Sequence, residues 1–333
     1  MSRALKLGIA IAVSLFCIAL SMKDVRPGEV FDALRHARPL GFVLLIAGTL
    51  LGFWIRAVRW RWLIPGERAI GLDSLFRATM IGFMANNLLP FRLGEFVRAW
   101  ALGRREGMPK ARVFASVVVE RVIDMITLIV IFGIALLVHP LSHATPAGRL
   151  AWLGARILVV TCIAFTVALV MLEQKPALLH RAVRQLTSPL PAHVRERTTA
   201  MLEHFVDGLG LFRDVPRLLW VFVLSFVMFG VVVLGLHASL WALAIDVPWY
   251  GGLVMLVITA IGIMVPAAPG YIGTLNVACT YGLALFDVSA RRGAAFSWFY
   301  WAGQWLPVTL VGLYFLRREG LSLRALGEAQ REP

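Results

Sequence analysis

Charged and amide side chains occur at two places inside stretches that are otherwise apolar. One group surrounds the proline at position 90 and the other lies on the next apolar run: Asn86, Asn87, Arg92, Glu95, Arg98, Glu120, Arg121 and Asp124. Arg92, Glu95 and Arg98 are spaced by three, so on a helix they share one side and Glu95 can pair with either arginine. Arginine binds phosphate through two parallel hydrogen bonds, so these residues are candidates for a headgroup site.

Two interpretations of these charges stay open. Ionisable groups at membrane depth are costly and are kept near partners or a watery cavity, which favours a functional polar site. In that site Glu95, Glu120 and Asp124 would balance the arginine charges or move protons. The alternative is a structural network of ion pairs that holds the interrupted stretch against its neighbour.

A second interrupted stretch carries turn-forming and polar residues without charge: Pro266, Pro269, Gly270, Tyr271, Gly273 and Asn276. These residues fit either a hinge that permits close packing or direct contact with a substrate. His139 and His143 lack a third ligand, so no metal site is expected. The chain shows no phosphate-binding loop, nucleophile elbow or zinc-protease pattern, and no cofactor is expected.

Composition indicates a membrane protein. Hydrophobic residues make up 59% of the 333 residues, charged residues only 16%, and the mean hydropathy is +0.78. A soluble domain does not expose that much apolar surface. The net charge of +14 comes from basic residues at the ends of apolar runs, where they meet anionic headgroups. Membrane lipids are therefore the expected partners, and nucleic acid is not.

The apolar residues form six runs long enough to cross roughly 30 Å of hydrocarbon, at 5–20, 40–63, 113–138, 151–172, 218–245 and 293–316. Two more stretches, 72–103 and 251–287, are interrupted by proline, which removes a backbone donor and disfavours helix before it. We predict an all-α, polytopic integral membrane bundle, a single transmembrane domain over 1–333. It has about six full spans and two re-entrant broken-helix stretches, about eight hydropathy segments in all.

Basic residues predict the orientation of the bundle. With both termini in the cytoplasm and both interrupted stretches re-entrant, most of the 33 lysines and arginines fall on the cytoplasmic side. An aromatic and basic belt from Trp54 to Trp62 is predicted to lie at the interface. The loop 173–217 is predicted to carry an amphipathic helix on the cytoplasmic surface. The predicted location is the cell membrane, the inner membrane of a bacterium.

The two interrupted stretches align at an offset of 179 residues. Pro90 falls on Pro269 and Gly94 on Gly273, and each stretch precedes a long apolar run. Three full spans separate the copies, so the chain would enter the second copy from the opposite face. We therefore predict an inverted repeat, an arrangement found in transporters whose broken helices meet at the substrate site.

Several motifs resemble those of one known family. They are NNLLPFRLGEFVR from Asn86 to Arg98, ERVID from Glu120 to Asp124, FVDGL at 205–209 and PGYIG at 269–273. They are similar to the transmembrane domain of lysylphosphatidylglycerol synthase, whose relatives are called flippase-like membrane proteins. The resemblance implies translocation of phospholipids or of polyprenyl-linked or isoprenoid lipids between leaflets. Asn276 stands where many members have a glutamate, so a carboxylate in both halves is not expected.

The resemblance and the residues lead to one expected function and two alternatives. We expect a lipid transporter that is not an enzyme. The chain ends soon after its last apolar run, so neither the aminoacyltransferase domain of the full synthases nor aminoacyl transfer is expected. The alternatives are an intramembrane transferase on a lipid-phosphate carrier, with Glu95, Glu120 or Asp124 as base, and a non-catalytic subunit of a lipid-modifying complex. Assembly with identical chains or with a lipid-biosynthesis partner fits each of them.

Overall fold

The computed structural model describes residues 3–23, 25–64, 70–89, 93–138, 146–174, 199, 214–264 and 269–321, and within these ranges every regular element is helical. The helices are α1 (Arg3–Ser21), α2 (Pro27–Arg35), α3 (Pro39–Leu63), α4 (Leu72–Leu88), α5 (Gly94–Glu106), α6 (Lys110–Val138), α7 (Pro146–Gln174), α8 (Val215–Ala242), α9 (Gly251–Met264), α10 (Thr274–Leu283) and α11 (Ala290–Arg318). Short 3-10 turns occupy Pro269–Tyr271 and Ala284–Phe286. The structure thus agrees with the predicted all-helical bundle.

Helices α3 and α8 are long and apolar enough to cross a membrane. They pack against each other in antiparallel directions. At one end, the backbone N–H of Arg38 donates to the carbonyl oxygen of Ala242 (2.9 Å). At the other end, Arg217 Nη2 donates to the carbonyl oxygen of Ile64 (2.9 Å). These two helices support a membrane bundle, whereas the count of six full spans stays a prediction.

Each interrupted stretch forms two helices separated by a break. The first break separates α4 from α5, and the second separates α9 from α10. An asparagine side chain satisfies a backbone donor beside each break: Asn86 Oδ1 accepts from Gly94 N (2.8 Å), and Asn276 Oδ1 accepts from Gly273 N (3.0 Å). Such bonds are needed because the first N–H groups of a helix have no partner within the helix, and buried ones cannot bond to water.

Glycines bring the two helices of each pair close together. A Cβ on Gly82 of α4 would lie 2.6 Å from the Cβ of Arg98 on α5. In the second pair, a Cβ on Gly262 of α9 would collide with the Cβ of Ala278 on α10. The crossing residues are 16 positions apart in both pairs. The two pairs therefore cross in the same way, but one has an arginine at the crossing and the other an alanine.

The sequence interpretation missed α2, a short helix between the first two apolar runs. Its first residue is Pro27, which is tolerated there because the first turn needs no intrahelical donor. The Glu29 side chain accepts from the backbone N–H of Arg26 (3.4 Å), which caps the helix. Val30 is buried in a small cluster with Ala294 of α11. This contact holds α2 at the start of α11.

Some predicted features lie outside the described residues. Among them are Pro90, Arg92, Pro266 and, except for its ends and residue 199, the loop 173–217. The remaining candidate residues occupy α4, α5, α6, the second break and the start of α10.

Candidate functional site

Four arginines surround one buried carboxylate, that of Glu120 on α6. Its Oε1 lies 2.6 Å from Arg56 Nη1 and 3.1 Å from Arg59 Nη2. The same oxygen lies 2.7 Å from Arg121 Nη2, and Oε2 lies 2.8 Å from Arg98 Nη1. A buried carboxylate needs such partners because an unpaired charge is costly away from water. Glu120 therefore joins α3, α5 and α6.

Asp124 extends this network along the same face of α6. Arg59 Nη1 lies 2.6 Å from Asp124 Oδ1, and Arg56 Nη1 lies 3.1 Å from Oδ2. Arg59 Nη1 also donates to Ser225 Oγ on α8 (2.7 Å). Asp124 and Glu120 are four residues apart, so one face of α6 presents both carboxylates to α3.

Arg98 is fully buried, and only some of its hydrogen-bond donors have an acceptor. Its Nη1 donates to Glu120 Oε2 (2.8 Å), whereas its Nε and Nη2 have no hydrogen-bond partner within the described chain. Its guanidinium lies 3.7 Å from the ring centroid of Trp60, a cation–π contact. A buried donor without an acceptor costs about 1–3 kcal/mol, so the site favours an added acceptor such as a phosphate oxygen or water.

Glu95 and Arg121 form the outer edge of the site. Their side chains are 24% and 34% exposed, and Arg121 Nη1 lies 3.9 Å from Glu95 Oε1. Pairing of Glu95 with Arg98 was one predicted arrangement. In the structure Arg98 instead points to the buried Glu120, and Glu95, in the first turn of α5, faces Arg121.

These seven residues form what we call the charge cluster: Arg56, Arg59, Glu95, Arg98, Glu120, Arg121 and Asp124. Its four guanidiniums face three carboxylates, so the cluster carries one surplus positive charge. Within the described ranges, no three His, Cys, Asp or Glu side chains are grouped as metal ligands would be. The surplus charge and the unsatisfied donors suit the binding of an anion.

The predicted interfacial belt is wrong for three of its residues. Arg59 and Trp60 are fully buried, and the Arg56 side chain is only 13% exposed. Trp54 and Trp62 are half exposed, as an interfacial residue can be. The difference arises because Arg56 and Arg59 are three apart and share the face of α3 that is turned toward α6. That spacing, opposite two carboxylates four apart on another apolar run, was the signal the sequence interpretation missed.

Asn86 and Asn87 have different roles in the first break. Asn86 is buried and caps α5 through its bond to Gly94. Asn87 Nδ2 instead donates to Thr309 Oγ1 on α11 (3.0 Å) and lies 3.5 Å from the carbonyl oxygen of Trp305. Asn87 therefore ties the first break to α11.

The second break approaches the first closely. Gly270 has φ +76°, and a Cβ there would lie 2.8 Å from Trp305 Nε1 and 3.4 Å from the carbonyl oxygen of Asn87. The Gly270 carbonyl accepts a bond from Trp301 Nε1 (2.8 Å). Only a glycine is readily accommodated at this φ and in this space.

The side chain of Asn276 is hydrogen-bonded to other residues of the protein. Its side chain is buried, and besides accepting from Gly273 it donates through Nδ2 to Ser297 Oγ (2.8 Å). The amide therefore joins the second break to α11, and its bonds are made within the protein.

A largely apolar cavity of about 230 Å³ is lined by the end of α4, the second break and the helices α3, α8, α9 and α11. Arg56 and Asn87 line it from the first half of the chain, and Gly270 and Tyr271 line it from the second break. Aromatic rings contribute much of the remaining wall: Phe53, Phe83, Tyr300, Trp301 and Trp305. Arg56 also belongs to the charge cluster, so one apolar space connects directly to the charges.

Nearly the whole chain is similar to one known family. Residues 7–312 match the family described as the lysylphosphatidylglycerol synthase TM region. The chain belongs to this family. Membership confirms the resemblance that the motifs indicated, and with the apolar helices it supports a location in the membrane and a lipid-related role. No solved structure matches the chain.

Three curated relatives resemble parts of this family member. A UPF0104 membrane protein of Methanothermobacter thermautotrophicus is 33% identical over 140 residues, which cover 38% of this chain and 40% of the relative. A UPF0104 membrane protein of Methanocaldococcus jannaschii is 29% identical over 120 residues, 35% of each chain. Glycosyltransferase AglD of Haloferax volcanii is 27% identical over 139 residues, 40% of this chain and 22% of the relative. The matches therefore span less than half of each relative.

The last comparison corrects one expectation. We expected from the sequence that the chain is not an enzyme, and this is wrong as a conclusion because a relative is named a glycosyltransferase. The expectation relied on missing motifs. Missing motifs do not show that a chain is not an enzyme.

Proposed function

We propose that this protein binds a lipid with a phosphate in its headgroup and moves it between the leaflets of the membrane. The observation that carries the proposal is the apolar cavity that reaches the charge cluster at Arg56. Both bonds of Arg56 within the described chain use Nη1, which leaves Nε and Nη2 for a phosphate. A space that is apolar along its wall and cationic at one end suits an amphiphile with an anionic head.

The position of the cavity supports transport. Thr49 and Gly52, at the middle of α3, line it. If α3 spans the bilayer, the cavity lies near the midplane. Transporters built from broken helices have their substrate sites at this depth, because irregular backbone is tolerated where protein or a cavity surrounds it.

Matching contacts in the two halves support the inverted repeat. At the offset of 179 residues, Arg38 corresponds to Arg217 and Trp62 to Trp241. The Arg38 guanidinium lies 4.7 Å from the ring centroid of Trp241, and Arg217 Nε donates to the carbonyl oxygen of Trp62 (2.5 Å). The corresponding helices α3 and α8 are antiparallel, so we infer that the two halves cross the membrane in opposite directions.

Cysteine labelling tests this topology. We expect single cysteines at the exposed positions Arg104 and Ser289 to react with a membrane-impermeant maleimide from opposite faces, in a variant without the three native cysteines. A cysteine at Arg317 is the control. It should label from the same face as Arg104, because Arg105 forms an ion pair with Glu319. Labelling of Arg104 and Ser289 from one face would contradict the inverted repeat.

One comparison favours a second candidate function, in which the same site holds a lipid-linked substrate for a transferase reaction. The similarity to Glycosyltransferase AglD supports it. The binding chemistry would be shared, because a lipid-phosphate carrier also has an anionic group beside a long apolar chain. Transport of a lipid is observed only across a sealed bilayer that separates two compartments, whereas a transferase can turn over its substrate in detergent.

Reconstitution into sealed vesicles separates these functions. Vesicles contain phosphatidylglycerol with a fluorescent acyl chain, and dithionite, which does not cross the bilayer, bleaches the outer leaflet. If the protein moves lipid, bleaching should proceed well beyond the fraction lost from protein-free vesicles. Bleaching equal to that of protein-free vesicles would contradict transport of this lipid, and turnover of a lipid-phosphate carrier in detergent would support the transferase.

A further inference from the structure

We propose a second headgroup site at the opposite end of α3, which binds a phosphodiester headgroup and prefers one that also carries an ammonium group. The inference rests on the proposed function, since a lipid that crosses the bilayer must be received at the far face. A cavity of about 390 Å³ lies there between α2, the end of α8 and the start of α11. Arg38 lines it, and Arg56 follows 18 residues later. At 1.5 Å per residue the two arginines are roughly 27 Å apart along the helix axis.

Charges of both signs face this cavity, and those on described residues do not pair with one another. Its ionisable lining residues are Glu29, Asp32, His36, Arg38, Arg291 and Arg292. Among described residues, no carboxylate lies within 4.0 Å of a guanidinium nitrogen of Arg38, Arg291 or Arg292. In the charge cluster, by contrast, Arg56, Arg59 and Arg98 contact carboxylates at 2.6–3.1 Å. The cavity therefore holds opposite charges apart around a shared space.

The arrangement of these charges matches a headgroup with two charges. The three arginines come from α11 and the start of α3, and a phosphodiester can accept hydrogen bonds from them. Glu29 and Asp32 are three apart on α2, so they share the side of the helix that lines the cavity and can receive an ammonium. Arg38 lies over the ring of Trp241, a residue type common at headgroup level.

The net charge of the site agrees with a phosphodiester ligand. Three arginines exceed two carboxylates by one charge when His36 is neutral. The charge cluster at the other end of α3 has the same surplus. An anionic phosphodiester would neutralise the surplus at either end, and the carboxylates of α2 add a preference for an ammonium at this one.

Native mass spectrometry of the purified full chain in detergent tests the site. The probes are dioleoyl phosphatidylethanolamine, dioleoyl phosphatidylglycerol and dioleoylglycerol. We expect Arg291→Gln with Arg292→Gln to weaken roughly tenfold one of the two bound equivalents of either phospholipid, since each arginine offers charge-assisted bonds, and to leave the equivalent held at the charge cluster. We expect Glu29→Gln with Asp32→Asn to remove the preference for phosphatidylethanolamine and to spare phosphatidylglycerol. The Glu29→Gln side chain can still cap α2 because it keeps an acceptor oxygen.

Arg317→Gln with Arg318→Gln is the matched control, because these exposed arginines lie at the other end of α11. It should bind all three lipids like the parent. The proposal is overturned if the α2 and α11 variants bind like this control, or if they lose dioleoylglycerol as strongly as the phospholipids. Binding is measured without a second compartment. If the lipids bind as expected but vesicles with the protein bleach like protein-free vesicles, the proposed transport is contradicted and the second headgroup site is supported.

Discussion

Replacing Glu120 with glutamine is expected to lower thermal stability more than any other single change in the charge cluster. Glu120 contacts all four arginines of the cluster. Without its charge, the fully buried Arg98 loses its closest counter-ion, and among the described residues Arg59 keeps one carboxylate partner, Asp124. Breaking a buried ion pair by removing one partner typically costs about 3–5 kcal/mol. The thermal midpoint of the purified protein in detergent measures the loss.

Two further variants give this prediction its controls. Asp246→Asn removes an exposed carboxylate and should leave the thermal midpoint near that of the parent. Adding Arg98→Met to Glu120→Gln removes both charges of the buried Arg98–Glu120 pair, so it should recover part of the loss. A Glu120→Gln protein with the parental midpoint would show that the cluster does not hold the helices together.

Structural features that depend on residues close together in the sequence could be predicted from the sequence. Prolines at the two breaks predicted the helix pairs correctly, because proline disrupts a helix at its own position. Asn86, Arg98, Glu120 and Asp124 became candidates because charge and amide groups are rare in apolar runs, and their role in binding stays a prediction. The motifs in these same stretches indicated the family correctly.

Features that depend on distant contacts were missed. Arg56 and Arg59 looked like interfacial residues because they lie near the end of an apolar run, whereas their partners are more than 60 positions away. Only the packing of α3 against α6 shows which face of α3 is buried. The environment of Asn276 has the same origin, since its partner Ser297 is on another helix.

Replacing Arg56 with glutamine is expected to abolish most lipid transport while preserving the fold. Glu120 keeps contacts with Arg59, Arg98 and Arg121, so the thermal midpoint should fall less than in Glu120→Gln. Transport should fall roughly ten- to hundredfold, because charge-assisted hydrogen bonds contribute about 1.5–3 kcal/mol. Arg56→Lys should also be impaired, since an ammonium lacks the planar fork that binds both carboxylate and phosphate.

The initial rate of phosphatidylglycerol translocation in sealed vesicles, measured at equal amounts of folded protein, tests the central claim most directly. Arg61→Gln is the control, because Arg61 is an exposed arginine on the same helix. The cavity and its arginine predict a parental rate for Arg61→Gln and a rate near that of protein-free vesicles for Arg56→Gln. Folded Arg56→Gln protein that moves the lipid at the parental rate would contradict a headgroup site at the charged end of the cavity.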